Sequence, residues 1–191
     1  RGVARVLLMN KPMGVICSCD DPQGRRTVLD LLPPEHRAGL HPVGRLDADS
    51  HGALLLTDLG ELTLKLTHPR YSHAKTYRVW VQGVPPEPVL DRWRRGVPLD
   101  GRLTRPARVR RLRTWGDRSL LEIELREGRN RQIRRMAEAL GHPVLDLQRT
   151  AIAGLPLGDL AEGCWIWLSE GEWKPLLERA DPMDWPNSPC D

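Results

Sequence analysis

The sequence predicts an α+β protein in which strands dominate. Residues 75–81 alternate polar and apolar side chains, and residues 119–125 read as another strand. Leu54, Leu55 and Leu56 form an unbroken apolar run between polar turns, the pattern of a strand covered on both faces. Helical spacing is confined to short stretches that end at Gly or Pro, as before Gly96 and Gly141. With 191 residues and 40% hydrophobic side chains, the chain can bury a sizeable core. Residues 1–180 are read as one domain. Residues 181–191, with few core residues, are read as a loose tail.

Taken in order, residues 5–10 form a strand, and Lys11-Pro-Met-Gly14 is its turn, with Pro12 setting φ and Gly14 free to take positive φ. Residues 15–19 read as a second strand. Thr27 caps a short helix over 28–32, stopped by Pro33-Pro34. The central stretch runs from His41 to Thr57 as a short strand, a tight polar turn and a second, apolar strand. Its turn gathers Arg45, Asp47, Asp49, Ser50 and His51. Asp58-Leu-Gly-Glu61 has the form of a capping box opening a helix to about residue 67. The strand at 75–81 puts Thr76, Arg78 and Trp80 on one face, and Lys75, Tyr77, Val79 and Val81 on the other. A short helix follows over 89–95. The strand region 105–115 carries Arg105, Arg108, Arg110, Arg111 and Arg113, with Arg113 within reach of Glu122 or Glu124 on the next strand. Asn130 is the expected N-cap of a helix whose buried stripe is Ile133, Met136, Ala137 and Leu140. On that wheel Arg131 and Arg135 point outward and Arg134 lies at the border. Residues 144–152 and 164–168 complete the strands, and Ser169-Glu-Gly-Glu172 opens a last helix to about residue 179.

The formal net charge is +4, and arginine carries it, for Lys11, Lys65, Lys75 and Lys174 are the only lysines. Arginine suits bidentate phosphate and base contacts, which leans towards RNA; GC-rich codon usage explains the same bias equally well. Cys17, Cys19, Cys164 and Cys190 lack zinc-site spacing and are read as reduced thiols of a cytoplasmic protein. No apolar run is long enough to span a membrane, and no glycine-rich phosphate loop or metal-ligand spacing occurs. A carboxylate at a strand end is well placed for chemistry, although an Asp in a turn is commonly a cap. A border arginine is half desolvated, where pairing with a carboxylate is strong. The outward arginines suit phosphates or a plain solvated face.

Four stretches together resemble the pseudouridine synthases of the RsuA/RluB/RluE/RluF type: Lys11-Pro-Met-Gly14, Gly44-Arg-Leu-Asp47 with Gly52-Ala-Leu-Leu-Leu-Thr57, Lys75-Thr-Tyr77, and Gly128-Arg-Asn-Arg-Gln-Ile-Arg-Arg-Met136. The resemblance implies a largely antiparallel central sheet with flanking helices and an active-site cleft across it. It implies that uridine is isomerised in ribosomal RNA without a cofactor, with Asp47 as nucleophile. Tyr77 would lie under the flipped uracil, Arg134 would pair with Asp47, and Ile133 would pack on the base. Arg45 would occupy the gap left by the flipped nucleotide. Lys11, Arg131 and Arg135 are assigned to RNA contact. Ser50 stands where the family usually has Thr, and Asp58-Leu59-Gly60 where it usually has Asn-Asp-Gly; both keep turn and cap chemistry. Many relatives carry an N-terminal RNA-binding domain of the S4 type. Only a few residues precede the first strand here, so the expectation is that this subtype lacks that domain, as the RluE type does, or that it was removed; the likeness to the RluE type favours 23S over 16S RNA. A monomer without membrane contact is expected. Two rivals stand beside this. A non-catalytic ribosome-assembly protein gives no reason for Asp47, Tyr77 and Arg134 together, and a hydrolase using Asp47 and Asp49 gives none for the arginine-rich helix.

Overall fold

A computed structural model describes residues 3–178 together with Asp181 and Pro182. The elements in chain order begin with β1 (Val6–Lys11), a 3-10 turn (Val28–Leu31), α1 (Pro34–Arg37), β2 (His41–Pro42), β3 (His51–Thr57), α2 (Gly60–Thr67), β4 (Tyr71–Ser72) and β5 (Lys75–Gln82). Then come α3 (Glu87–Arg95), β6 (Pro98–Leu99), β7 (Arg102–Leu103), β8 (Arg108–Trp115), β9 (Arg118–Leu125) and α4 (Gln132–Ala139). The chain continues through β10 (Val144–Ile152), β11 (Leu155–Pro156), β12 (Trp165–Trp167), α5 (Glu170–Glu178) and β13 (Asp181–Pro182).

Nine strands form one sheet in the order β12-β1-β3-β10-β5-β9-β8, with β2 on β3 and β11 on β10. Among the described pairs of this sheet only β3 with β10 is parallel. The sheet is therefore largely antiparallel, as expected. β3 is covered on both faces. Leu54 and Leu56 pack with Leu7 and Met9 over the 3-10 turn, while Ala53 and Leu55 pack with Val6 and Leu8 against α2 and α5. At the other end, Trp93 of α3 and the apolar stripe of α4 cover Val79, Val81, Leu121 and Ile123. The cleft lies where these two halves meet.

Several local expectations change. Residues 15–19 are not a strand. Only the bridge of Ile16 with Thr27 forms, because the Val15 carbonyl is taken by the Lys11 ammonium at 2.7 Å and Cys17 faces the loop at Leu46. Asp58 does not cap α2, whose N-cap is Leu59. Its carboxylate instead accepts the Arg5 backbone N–H at 2.9 Å and Nε–H at 3.0 Å. Arg113 does not reach Glu122 or Glu124. A bulge between Arg111 and Arg113 sets Arg113 opposite Leu120, with its guanidinium over the Trp80 ring, and Arg110 takes Glu122. Of the expected tail, Asp181 and Pro182 pair with β4; residues 183–191 lie outside the described residues. Ser169 meets the expectation of a cap, its N–H donating to Glu172 at 2.8 Å.

Candidate active site

The site is built on the loop between β2 and β3. Gly44, at φ +73°, bends the chain away from the sheet edge. Leu46 is buried, and its N–H donates to Cys17 Sγ at 3.3 Å. Burial raises the Cys17 thiol pKa, which keeps the sulfur neutral in that role. The Ser50 N–H donates to the Asp47 carbonyl at 2.9 Å and closes the turn. With Leu46 held inward, Asp47 stands half-buried at the cleft wall, backed by the apolar β3.

Helix α4 supplies the facing side. Arg131 takes a left-handed conformation, φ 50°, as its N-cap residue, where Asn130 was expected. The buried Gln132 stabilises this entry by accepting the Arg129 N–H at 3.0 Å and donating to Glu127 at 2.9 Å. From there the Arg131 guanidinium forks onto Asp49 at 3.1 and 2.9 Å, and its Nη1 stands 3.3 Å from Asp47 Oδ2. Arg131 holds the Asp49 carboxyl below the usual carboxylate range, with Arg134 adding to it. Arg134 donates to the Asp49 carbonyl at 2.7 Å and the Ser50 hydroxyl at 3.0 Å.

The guanidinium next to Asp47 belongs to Arg131, not Arg134. The Asp49 carboxylate and the turn's own polar groups compete for Arg134, which holds the turn. Asp49, read as a turn residue and as the second carboxylate of a rival hydrolase, is the hub of both arginines. Lys11 is corrected more strongly. It is fully buried, its ammonium donating to the carbonyls of Pro12 and Val15 at 2.8 and 2.7 Å, so it cannot meet an RNA phosphate. It braces the first turn behind Asp47 and Asp49, whose charges act on it. Arg135 faces outward, as expected, and pairs with Asp100 at 2.6 Å.

Between loop and helix opens a cavity of about 550 Å³, lined by Asp47, Tyr77, Ile133, Arg134 and Arg45, with Arg131 at its edge. Lys75 and Arg149 also line it; neither was read as a site residue from the sequence. The signal for Lys75 was its place on the Tyr77 face of β5. None existed for Arg149, which β10 sets opposite both Tyr77 and Gly52. Burial, helped by the Arg149 charge, lowers the Lys75 pKa from 10.5 to about 8. Below about pH 8 the folded protein therefore bears an unfavourable buried charge that the unfolded chain, titrating near 10.5, does not. Stability from this group rises as pH climbs from about 8 towards 10.5. Melting curves of wild type and Lys75→Met should reveal it. The variant's advantage at neutral pH shrinks as pH rises through that window, and a gap independent of pH would contradict the assignment. Among the described residues no group of three or more His, Cys, Asp or Glu could hold a metal ion, and no helix is long and apolar enough to cross a membrane.

The cleft thus combines a carboxylate at one wall, a buried tyrosine and a rim of arginines. Residues 5–139 match the family model described as RNA pseudouridylate synthase, and the chain belongs to that family of isomerases, in the RsuA/RluB/RluE branch. It is 41% identical over 178 residues to the ribosomal large subunit pseudouridine synthase B of Bacillus subtilis, covering 91% of this chain and 72% of that one. It is 41% identical over 179 residues to the ribosomal large subunit pseudouridine synthase E of Xanthomonas campestris, covering 84% of this chain and 93% of that one. Identity with the ribosomal small subunit pseudouridine synthase A of Escherichia coli is 35% over 178 residues, covering 92% and 71% respectively. A crystal structure of a pseudouridylate synthase superposes with a TM-score of 0.82 at 32% identity, over 91% of this chain and 74% of that one.

Proposed function

We propose that this enzyme isomerises one uridine of ribosomal RNA, in the 23S molecule, acting as a cytoplasmic monomer with Asp47 as nucleophile. The observation that carries this reading is the position of Asp47 at the wall of a cleft of about 550 Å³, which Tyr77 and Ile133 also line. In the reaction the N1–C1′ bond of uridine breaks and a C5–C1′ bond forms. C5 gives up its proton and N1 gains one, so atoms and electrons balance without a cofactor. A uridine in structured RNA must first leave its stack, at a cost of a few kcal/mol. Stacking on the Tyr77 ring would offset about 1–3 kcal/mol of that cost. Ile133 would close on the base from α4. Arg131, 3.3 Å from Asp47, sets a positive charge beside the attacking carboxylate. Arg134, bonded to Ser50 and the Asp49 carbonyl, would keep the loop in place while the base enters. Arg45 is exposed and free to fill the gap in the RNA stack. The 23S target is favoured because relatives named for large-subunit RNA reach 41% identity, against 35% for the small-subunit enzyme.

The test is to incubate the protein with unmodified transcripts of 23S and 16S ribosomal RNA and map pseudouridine in both. A single converted uridine in 23S RNA is the expected result. Conversion confined to 16S RNA would overturn the target, and no conversion in either would overturn the ribosomal reading.

A further inference from the structure

The cations around the cleft fall into two groups. One group is engaged with protein partners. Arg131 and Arg134 hold the Asp49 turn, Arg135 pairs with Asp100, and Arg129 donates to the carbonyls of Leu99 and Arg102 at 2.5 and 3.2 Å. The other group is not. The Lys75 ammonium has no hydrogen bond or ion pair among the described residues. Arg149 is 4% exposed and spends only Nε–H, on the Ala53 carbonyl at 2.8 Å. The Arg45 guanidinium has no partner among the described residues either. These three side chains meet at a small side cavity of about 30 Å³ that adjoins the main cleft. Room for about one water is left there, so a larger group would meet these cations from the main cleft, which all three also line. His73 lines the same cavity, is 7% exposed, and has no partner on either ring nitrogen. Burial, with the charges of Lys75, Arg149 and Arg126, lowers its pKa to about 3, so it adds no positive charge of its own.

We infer that Lys75 and Arg149, with Arg45 at the mouth, form a subsite for one backbone phosphodiester of the RNA, beside the nucleotide whose base enters the cleft. The inference rests on RNA entering this cleft, but not on which RNA is modified. The half-buried Lys75 and the buried Arg149 carry like charges that repel each other, and no carboxylate pairs with either among the described residues. Their arrangement becomes favourable only when a full negative charge arrives. A uracil carbonyl brings a dipole, which is too little for two cations and a third at the rim. A phosphodiester brings a permanent charge, several acceptor oxygens and a fixed distance from its own base. Lys75 and Tyr77 lie on one face of β5, and Arg149 opposes Tyr77 across the sheet. A phosphate held there would therefore register the nucleotide against Tyr77 and Asp47 before any bond breaks.

The test uses the full chain carrying Asp47→Asn, so that the RNA stays unmodified, and unmodified 23S and 16S transcripts as probes. Affinity is measured from roughly 50 to roughly 200 mM salt, with and without Lys75→Met and, separately, Arg45→Gln. Losing one phosphate contact makes the slope of log affinity against log salt shallower by about 0.7 to 0.9. The ratio of parent to variant affinity should accordingly fall about threefold across that range. Lys75→Met removes a buried charge, and Arg45 is exposed, so both variants should melt no lower than the parent. An unchanged slope in both variants, even with weaker binding, would overturn the phosphate subsite and leave Lys75 as a packing or base contact. The slope is read from binding alone, so it is independent of whether either transcript is converted.

Discussion

Asp47→Asn is expected to lower uridine isomerisation by about four orders of magnitude or more, while RNA affinity stays within about threefold. The amide has nearly the shape of the carboxylate but carries no charge and is a poor nucleophile. The surroundings allow a clean result. Arg131, which loses a charge partner 3.3 Å away, keeps its fork on Asp49 at 3.1 and 2.9 Å. No buried cation is orphaned, and the turn keeps the Ser50 N–H bond to the residue-47 carbonyl. Single-turnover kinetics on the identified transcript, alongside filter binding, would measure both quantities. Residual turnover within tenfold of wild type would remove Asp47 as nucleophile. Asp49→Asn is the informative contrast. It loosens Arg131 and Arg134 together, so it should weaken turnover through geometry and lower the melting temperature as well.

Gly52→Ala is the change expected to cost most stability. Gly52 sits at φ +117°, a conformation that residues with a side chain rarely adopt. A Cβ there would overlap the Arg149 carbonyl oxygen and lie 2.6 Å from the Arg149 nitrogen. Both are backbone atoms and cannot swing aside. The contact falls on the short parallel pairing in which Gln148 faces His51 and Arg149 faces Gly52, the seam that joins β1 and β3 to β10, β5, β9 and β8. Prying it open should cost at least about 3 kcal/mol, a fall of roughly 6–12 °C in Tm for a chain of this size. Activity should fall with it, because Asp47 stands on one side of the seam and Tyr77 on the other. A melting temperature within a degree or two of wild type would show that β3 and β10 can separate locally without cost.

Reading the chain alone served well where a side chain's environment is set by its own strand or helix. The alternation of residues 75–81 grouped Tyr77 with Val79 and Val81 on one face, and β5 buries all three. The three leucines of β3 are covered on both sides. Helical spacing separated the stripe of Ile133, Met136, Ala137 and Leu140 from the arginines. Reading failed where a polar group could choose among partners distant in sequence. Asp58 had a plausible local use as a cap and was drawn instead to Arg5. Residues 15–19 had the composition of a strand, but the neighbours took up their carbonyls and sulfur before a ladder could form.

By itself, then, the sequence determined the strands and helices that bury apolar faces, the turn that carries Asp47, and the family. These follow from periodicity and from residue types at short spacing. Only the tertiary structure decided which charges meet. It sent Lys11 inward, gave Asp47 to Arg131 and Asp49 to both arginines, and brought Lys75, Arg149 and Arg45 together at one cavity. The reason is that hydrophobic burial depends on pattern along the chain, whereas an ion pair depends on a few ångströms between groups that β3, β5, β10 and α4 bring from far apart.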